Sequence, residues 1–134
     1  MNFTREELRP LEILEGLPDE QLDWLCEHGE KVTIESGEHM FDRGQVADAL
    51  WIVVEGVIQG FEEIGGQWLL VATTVRGQVT GMLPFSRMTH YPRHTVAAEP
   101  SEVLRVDASL FGELLAVSEE VGRRLVAQMS DRVR

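Results

Sequence analysis

The chain has 134 residues, 43% apolar and 26% charged, with 12 Lys and Arg against 23 Asp and Glu for a net charge of −11. That is one domain's worth of polypeptide with an ordinary globular composition, and no apolar run approaches the roughly 18 residues of a membrane span. The acidic surplus repels a phosphate polyanion at long range, so direct nucleic-acid binding is not expected, and the single cysteine, Cys26, cannot close an internal disulfide. Met1–Glu7 lacks the basic-then-apolar layout of a secretory leader, and the expected compartment is reducing and cytoplasmic.

In chain order, Thr4 and Glu7 have capping-box spacing and predict a short helix over Thr4–Leu8. Pro18 at a first-turn position, the acids Asp19 and Glu20, apolar Leu22, Trp24, Leu25 and Cys26, and a stop at Gly29 predict a second helix. From Glu30 the hydrophobic period shortens. Runs at Lys31–Ile34, Leu50–Val54, Val57–Phe61, Trp68–Thr74, His94–Ala98 and Glu102–Val106 predict strands broken by glycine-rich corners. Ile64-Gly65-Gly66-Gln67 reads as a hairpin tip.

Short strands without crossover helices predict a mainly β fold: an antiparallel β-roll, or jelly-roll-like barrel, flanked by N-terminal and C-terminal α-helices. The expected organisation is one domain over 1–134, with N-terminal helices in 1–29, the β-roll in 30–106 and C-terminal helices in 107–134. In the last zone Asp107 or Ser109 caps a short helix through Leu115, and Ser118-Glu119-Glu120 starts a longer one. Val117, Val121, Gly122, Leu125, Val126, Met129 and Val133 spread over about 180° of that helix, wider than the roughly 100° stripe that one docking surface needs. Gln128 and Arg132 interrupt the arc, but Gly122, Val126, Met129 and Val133 keep the spacing of a helix–helix seam, which predicts a homodimer. The pattern reaches Arg134 without a C-cap glycine, so a longer parent protein is expected.

The segment from Ser36 to Val57, with Gly37, Gly44, Gly56 and the strand Leu50-Trp51-Ile52-Val53-Val54, resembles the cyclic-nucleotide-binding domain. The likeness continues through Gly66, Gly77, Gly81, Pro92-Arg93 and Glu102–Val106, and covers roughly residues 11–134. Gly81–Met88 and the ending Arg124–Arg134 look most like regulatory domains of bacterial sensor histidine kinases. The resemblance implies a non-catalytic sensory or regulatory domain with a downstream output domain. The other readings it leaves are a ligand-free dimerisation module and the effector domain of a catabolite activator-type transcription regulator.

The family's phosphate-binding cassette reads Gly-Glu-aliphatic-Ala, a loop, then Pro-Arg and small residues. The resemblance therefore implies a ligand-binding set of Gly81, Met82, Leu83, Pro84, Arg87, Arg93, His94 and Thr95. Amides of a short helix and Arg93 would hold a phosphate, with Arg87 as a second cation. Met82 stands where the ribose-binding glutamate belongs, Pro84 replaces the alanine and its N–H, and His94 occupies a small residue's place and crowds the site. A ribose hydroxyl left unpaired costs about 1–3 kcal/mol, or about 5- to 150-fold in affinity. A degenerate cassette is expected, occupied by a small anionic ligand or by none, and not by tightly held cyclic AMP.

Other chemistry is not expected. His90 and His94 approach metal-ligand spacing, but Pro92 keeps them off one helix face, and His39 lacks the His-x-His partner of a cupin centre, so no metal is predicted. Cys26 has no histidine motif and reads as a small buried hydrophobe. Trp24 and Trp51 read as core, and Trp68, beside the hairpin tip, as partly exposed. No nucleophile elbow, phosphate loop or kinase signature is present.

Overall fold

The caps form as their spacing predicts. The Thr4 hydroxyl accepts from the Glu7 N–H at 3.3 Å while the Glu7 carboxylate accepts from the Thr4 N–H at 2.9 Å, closing the box that starts α1 (Arg5–Leu8). The computed structural model describes residues 2–84 and 86–133, with side chains as far as Gln128. Pro18 caps α2 (Asp19–His28), and a forked pair from Arg5 to Asp23, at 2.9 and 2.6 Å, ties the two helices together. A single 3-10 turn, Glu12–Leu14, lies between them and buries Ile13 and Leu14. Three residues are too few to show a helical period, which is why the sequence alone does not reveal it.

Eight strands follow: β1 (Glu30–Ile34), β2 (His39–Phe41), β3 (Ala49–Glu55), β4 (Val57–Ile64), β5 (Gln67–Val75), β6 (Val79–Gly81), β7 (His94–Ala97) and β8 (Ser101–Asp107). They form two antiparallel sheets in the orders β1-β8-β3-β6 and β2-β7-β4-β5. The six predicted strands are present, and β2 and β6, each of three residues, are additional. The jelly-roll-like barrel expected from the sequence is corrected here to a roll of two sheets that do not close. Strands as short as β2 and β6 cannot carry a ladder around the corners, so the chain crosses between sheets through turns such as the one where Gly77 N–H donates to the Val53 carbonyl.

Period-two alternation along β3 builds two cores at once. Leu50, Ile52 and Val54 point to the helices, packing with Leu8, Leu22, Leu25, Leu114 and Leu125, while Ala49, Trp51 and Val53 point into the roll. The roll interior holds Phe41, Ile58, Tyr91, Ala97 and Val103.

After β8, Asp107 accepts from the Ser109 N–H at 3.0 Å and starts a 3-10 turn leading into α3 (Phe111–Val117). Ser118 accepts from the Val121 N–H at 3.2 Å and opens α4 (Glu119–Val133). The wide apolar arc of α4 divides as its width requires. Val121 and Leu125 are buried on the core, whereas Val126 is 64% exposed and, with Gly122, faces a groove of about 550 Å³ also lined by Leu83 and Pro84. Met129 and Val133 of the predicted seam, and Arg132 beside them, lie outside the described side chains.

Candidate functional site

β6 ends in Gly81 with φ +91°, and an added Cβ there would lie 2.8 Å from the Ala49 carbonyl oxygen and 2.6 Å from Trp51 Cδ1. Only glycine meets both the left-handed backbone and the close approach to β3. From this corner the chain continues with Met82 N–H donating to Ala49 O at 3.1 Å. Among the described residues of 82–89 one turn closes, with Ser86 N–H donating to Leu83 O at 3.2 Å. Pro84 supplies no N–H, and the Ser86 hydroxyl accepts from Met88 N–H at 3.2 Å, a local bond that competes with helical pairing.

The sequence-predicted set comes together in part. Gly81, Leu83, Arg93 and Thr95 line one cavity of about 100 Å³, with Phe41, Val79, Met88 and Tyr91 among its other walls. Met82 is half-buried and packs against both cores. Pro84 faces the α4 groove, and Arg87 is exposed and makes no ion pair among the described residues. Arg93 is exposed at the rim, with Nε 3.7 Å from Glu62 Oε1 on β4. Thr95 and His94 alternate on β7, so Thr95 lines the cavity while His94 takes the outer face, correcting the expectation that His94 crowds the site.

On that outer face His94 and His39 place their Nδ1 atoms 3.1 and 2.6 Å from the same oxygen, Asp42 Oδ1, and His94 Nε2 is 3.5 Å from Glu63. The His94 ring stacks on Trp68 at 4.3 Å between centroids, and Trp68 is 43% exposed. Hydrogen bonding from His39, then from His94, holds the Asp42 carboxyl below the usual carboxylate range. His90 engages Thr89 instead, and among the described residues no His, Cys, Asp and Glu group is arranged to hold a metal ion. Cys26 is half-buried, and burial pushes its thiol up, away from the thiolate that a nucleophile requires.

Tyr91 and Phe41 are residues that sequence reasoning missed. Their rings stack at 3.8 Å and 17°, and the Tyr91 hydroxyl donates to Asp48 Oδ1 at 3.1 Å while accepting from Trp51 Nε1 at 3.3 Å. Burial raises the Tyr91 phenol pKa above its ordinary value. The local signal was position alone: Tyr91 directly precedes Pro92-Arg93, and Phe41 closes a short run between two glycine corners, but neither pattern places one ring on the other. Gln128, the polar break in the α4 arc, has a role the sequence did not reveal. Its side-chain oxygen accepts from the Val79 N–H at 2.7 Å, joining α4 to the strand that carries Gly81.

A two-sheet antiparallel roll, packed under N-terminal and C-terminal helices and holding a glycine corner opposite a Pro-Arg turn, places the chain among helix-flanked antiparallel β-rolls. The model of the cyclic nucleotide-binding domain matches residues 31–118, and the chain belongs to that family. Among solved structures it is similar to the Thermus thermophilus catabolite activator protein, at 24% identity and TM-score 0.79, covering 91% of this chain and 58% of that one. It is also similar to the sensor domain of the transcriptional regulator DNR from Pseudomonas aeruginosa, at 20% identity and TM-score 0.75, over 96% of this chain and 87% of that one. A third likeness is to the regulatory subunit of a cAMP-independent protein kinase A from Trypanosoma cruzi bound to guanosine, at 20% identity and TM-score 0.74, over 91% and 44%. No curated protein matches significantly. Among the described residues no helix is long and apolar enough to cross a membrane.

Proposed function

We propose that this chain is a non-catalytic regulatory domain of a signalling protein, by resemblance a sensor histidine kinase, whose nucleotide cassette is degenerate. The observation that carries this reading is the cavity bounded by Gly81, Leu83, Arg93 and Thr95: at about 100 Å³ it is well below the roughly 300–1,000 Å³ of small-molecule and cofactor pockets. Two further features support it. Met82 offers no strong acceptor for a ribose hydroxyl, and Arg93 has a carboxylate neighbour in Glu62.

The signal path follows from the contacts. A ligand or partner that displaces the Gly81 corner displaces β6, and the Val79 N–H to Gln128 bond passes that displacement to α4. α4 in turn presents the groove around Gly122 and Val126, the surface for a second copy and the route to an output domain. Calorimetric titration with cyclic AMP and cyclic GMP tests the reading. No saturable binding into the millimolar range is expected. Micromolar binding abolished by Arg93→Ala would overturn it.

A further inference from the structure

The small size of the site has an identifiable cause. On the other side of the Phe41–Tyr91 stack lies a solvent-open hollow of about 250 Å³, bounded also by Gln45, exposed Val46, Asp48, Trp51 and Arg105. Among the described residues Phe41 and Tyr91 alone line both spaces. Tyr91 is 3% exposed and is held from several directions: its ring on Phe41 at 3.8 Å, its hydroxyl on Asp48 and Trp51, its backbone N–H on Gln45 O at 2.9 Å, and its carbonyl on the Gly44 N–H at 2.9 Å. Asp48 is itself fixed by Arg105 at 3.2 Å, and Arg105 lies over the Trp51 ring at 5.6 Å. A ring restrained in this way does not swing aside for a ligand as a surface aromatic would.

We infer that Tyr91 is the specificity-determining residue of this site, a fixed partition that limits the ligand to a few heavy atoms and excludes the nucleoside half of a cyclic nucleotide. This rests on the degenerate-cassette reading and supplies its mechanical reason. With the ring removed, the two spaces and the ring's own volume form one chamber within the range that holds small-molecule ligands. Arg93 and Thr95 stand at one end of that chamber, and the acceptors Asp48 and Gln45 at the other. Arg93 would meet the phosphate, and the acidic and amide oxygens would meet base or sugar donors that Met82 cannot.

The experiment titrates cyclic AMP into the wild-type chain, Tyr91→Ala, Tyr91→Phe and Phe41→Leu, with near-ultraviolet circular dichroism to establish folding. The wild type and Tyr91→Phe, which keeps the ring, are expected to stay silent. Tyr91→Ala is expected to bind at least tenfold more tightly than the wild type, with a dissociation constant below about 1 mM, and to lose that gain when combined with Arg93→Ala. Should Tyr91→Ala not fold, Phe41→Leu, which loosens the same partition, is expected to show a smaller gain. A folded Tyr91→Ala or Phe41→Leu as silent as the wild type overturns the partition while leaving the degenerate cassette standing. Micromolar binding by the wild type overturns the cassette reading instead.

Discussion

At the scale of single residues, the site depends on positions whose backbone or bonding tolerates no ordinary replacement. Gly81→Ala would set a Cβ against Ala49 O and Trp51 in a left-handed backbone, and it is expected to cost about 2–4 kcal/mol in a urea unfolding titration. Asp42 behaves differently, because its carboxyl is held low by His39 and His94. A depressed folded value means that the contribution is complete above the unfolded value of about 3.9 and is lost as pH falls through the lower folded value. Asp42→Asn is therefore expected to destabilise at pH 6 by less than about 1 kcal/mol, given the half-exposed pair, with the gap from wild type narrowing in thermal melts as pH falls below about 3.9. Much of this scale could be read in advance: Gly81, Arg93 and Thr95 reach one cavity because a glycine corner and a Pro-Arg turn advertise their geometry. The Tyr91 partition could not, since a stack between residues 50 apart leaves no local pattern.

At the scale of elements, the sequence was most informative where a hydrophobic period ran for four or more residues. β1, β3, β4, β5, β7 and β8 follow from such runs, and the capping box of α1 and the serine start of α4 from fixed offsets. β2, β6 and the Glu12–Leu14 turn are three-residue pieces held by their neighbours and carry no period of their own. Gln128 shows how a polar residue within an apolar arc can be an anchor. Gln128→Leu is expected to cost about 1–3 kcal/mol in chemical denaturation by leaving the Val79 N–H without its acceptor, whereas Gln128→Glu, which keeps an acceptor, is expected to cost less.

For the whole molecule, charge and the split apolar arc of α4 act against each other. Two copies of a chain with net charge −11 repel, yet residues 117–134 carry a net charge of +1, so α4 adds little to that repulsion when it meets a second copy. Sedimentation equilibrium is expected to show a dimer that strengthens as salt rises from 50 to 500 mM, as screened repulsion predicts at a Debye length shrinking from about 14 to about 4 Å. Val126→Asp, which places a charge in the groove beside Gly122, is expected to return the monomer with an unchanged melting temperature.

The outermost strand of the second sheet, β5, displays Trp68, Leu69, Leu70 and Val71 with 43–52% of each surface in water, and from Gln67 to Val75 it contains no charged side chain. Its remaining local protection against stacking is the bulge between Gly60 and Phe61 of its neighbour. The protein's shelf life in a tube is thus governed by its acidity: near the isoelectric point of 4.7 that shield vanishes, and purification schemes that pass through mildly acidic buffer invite ribbon-like precipitation.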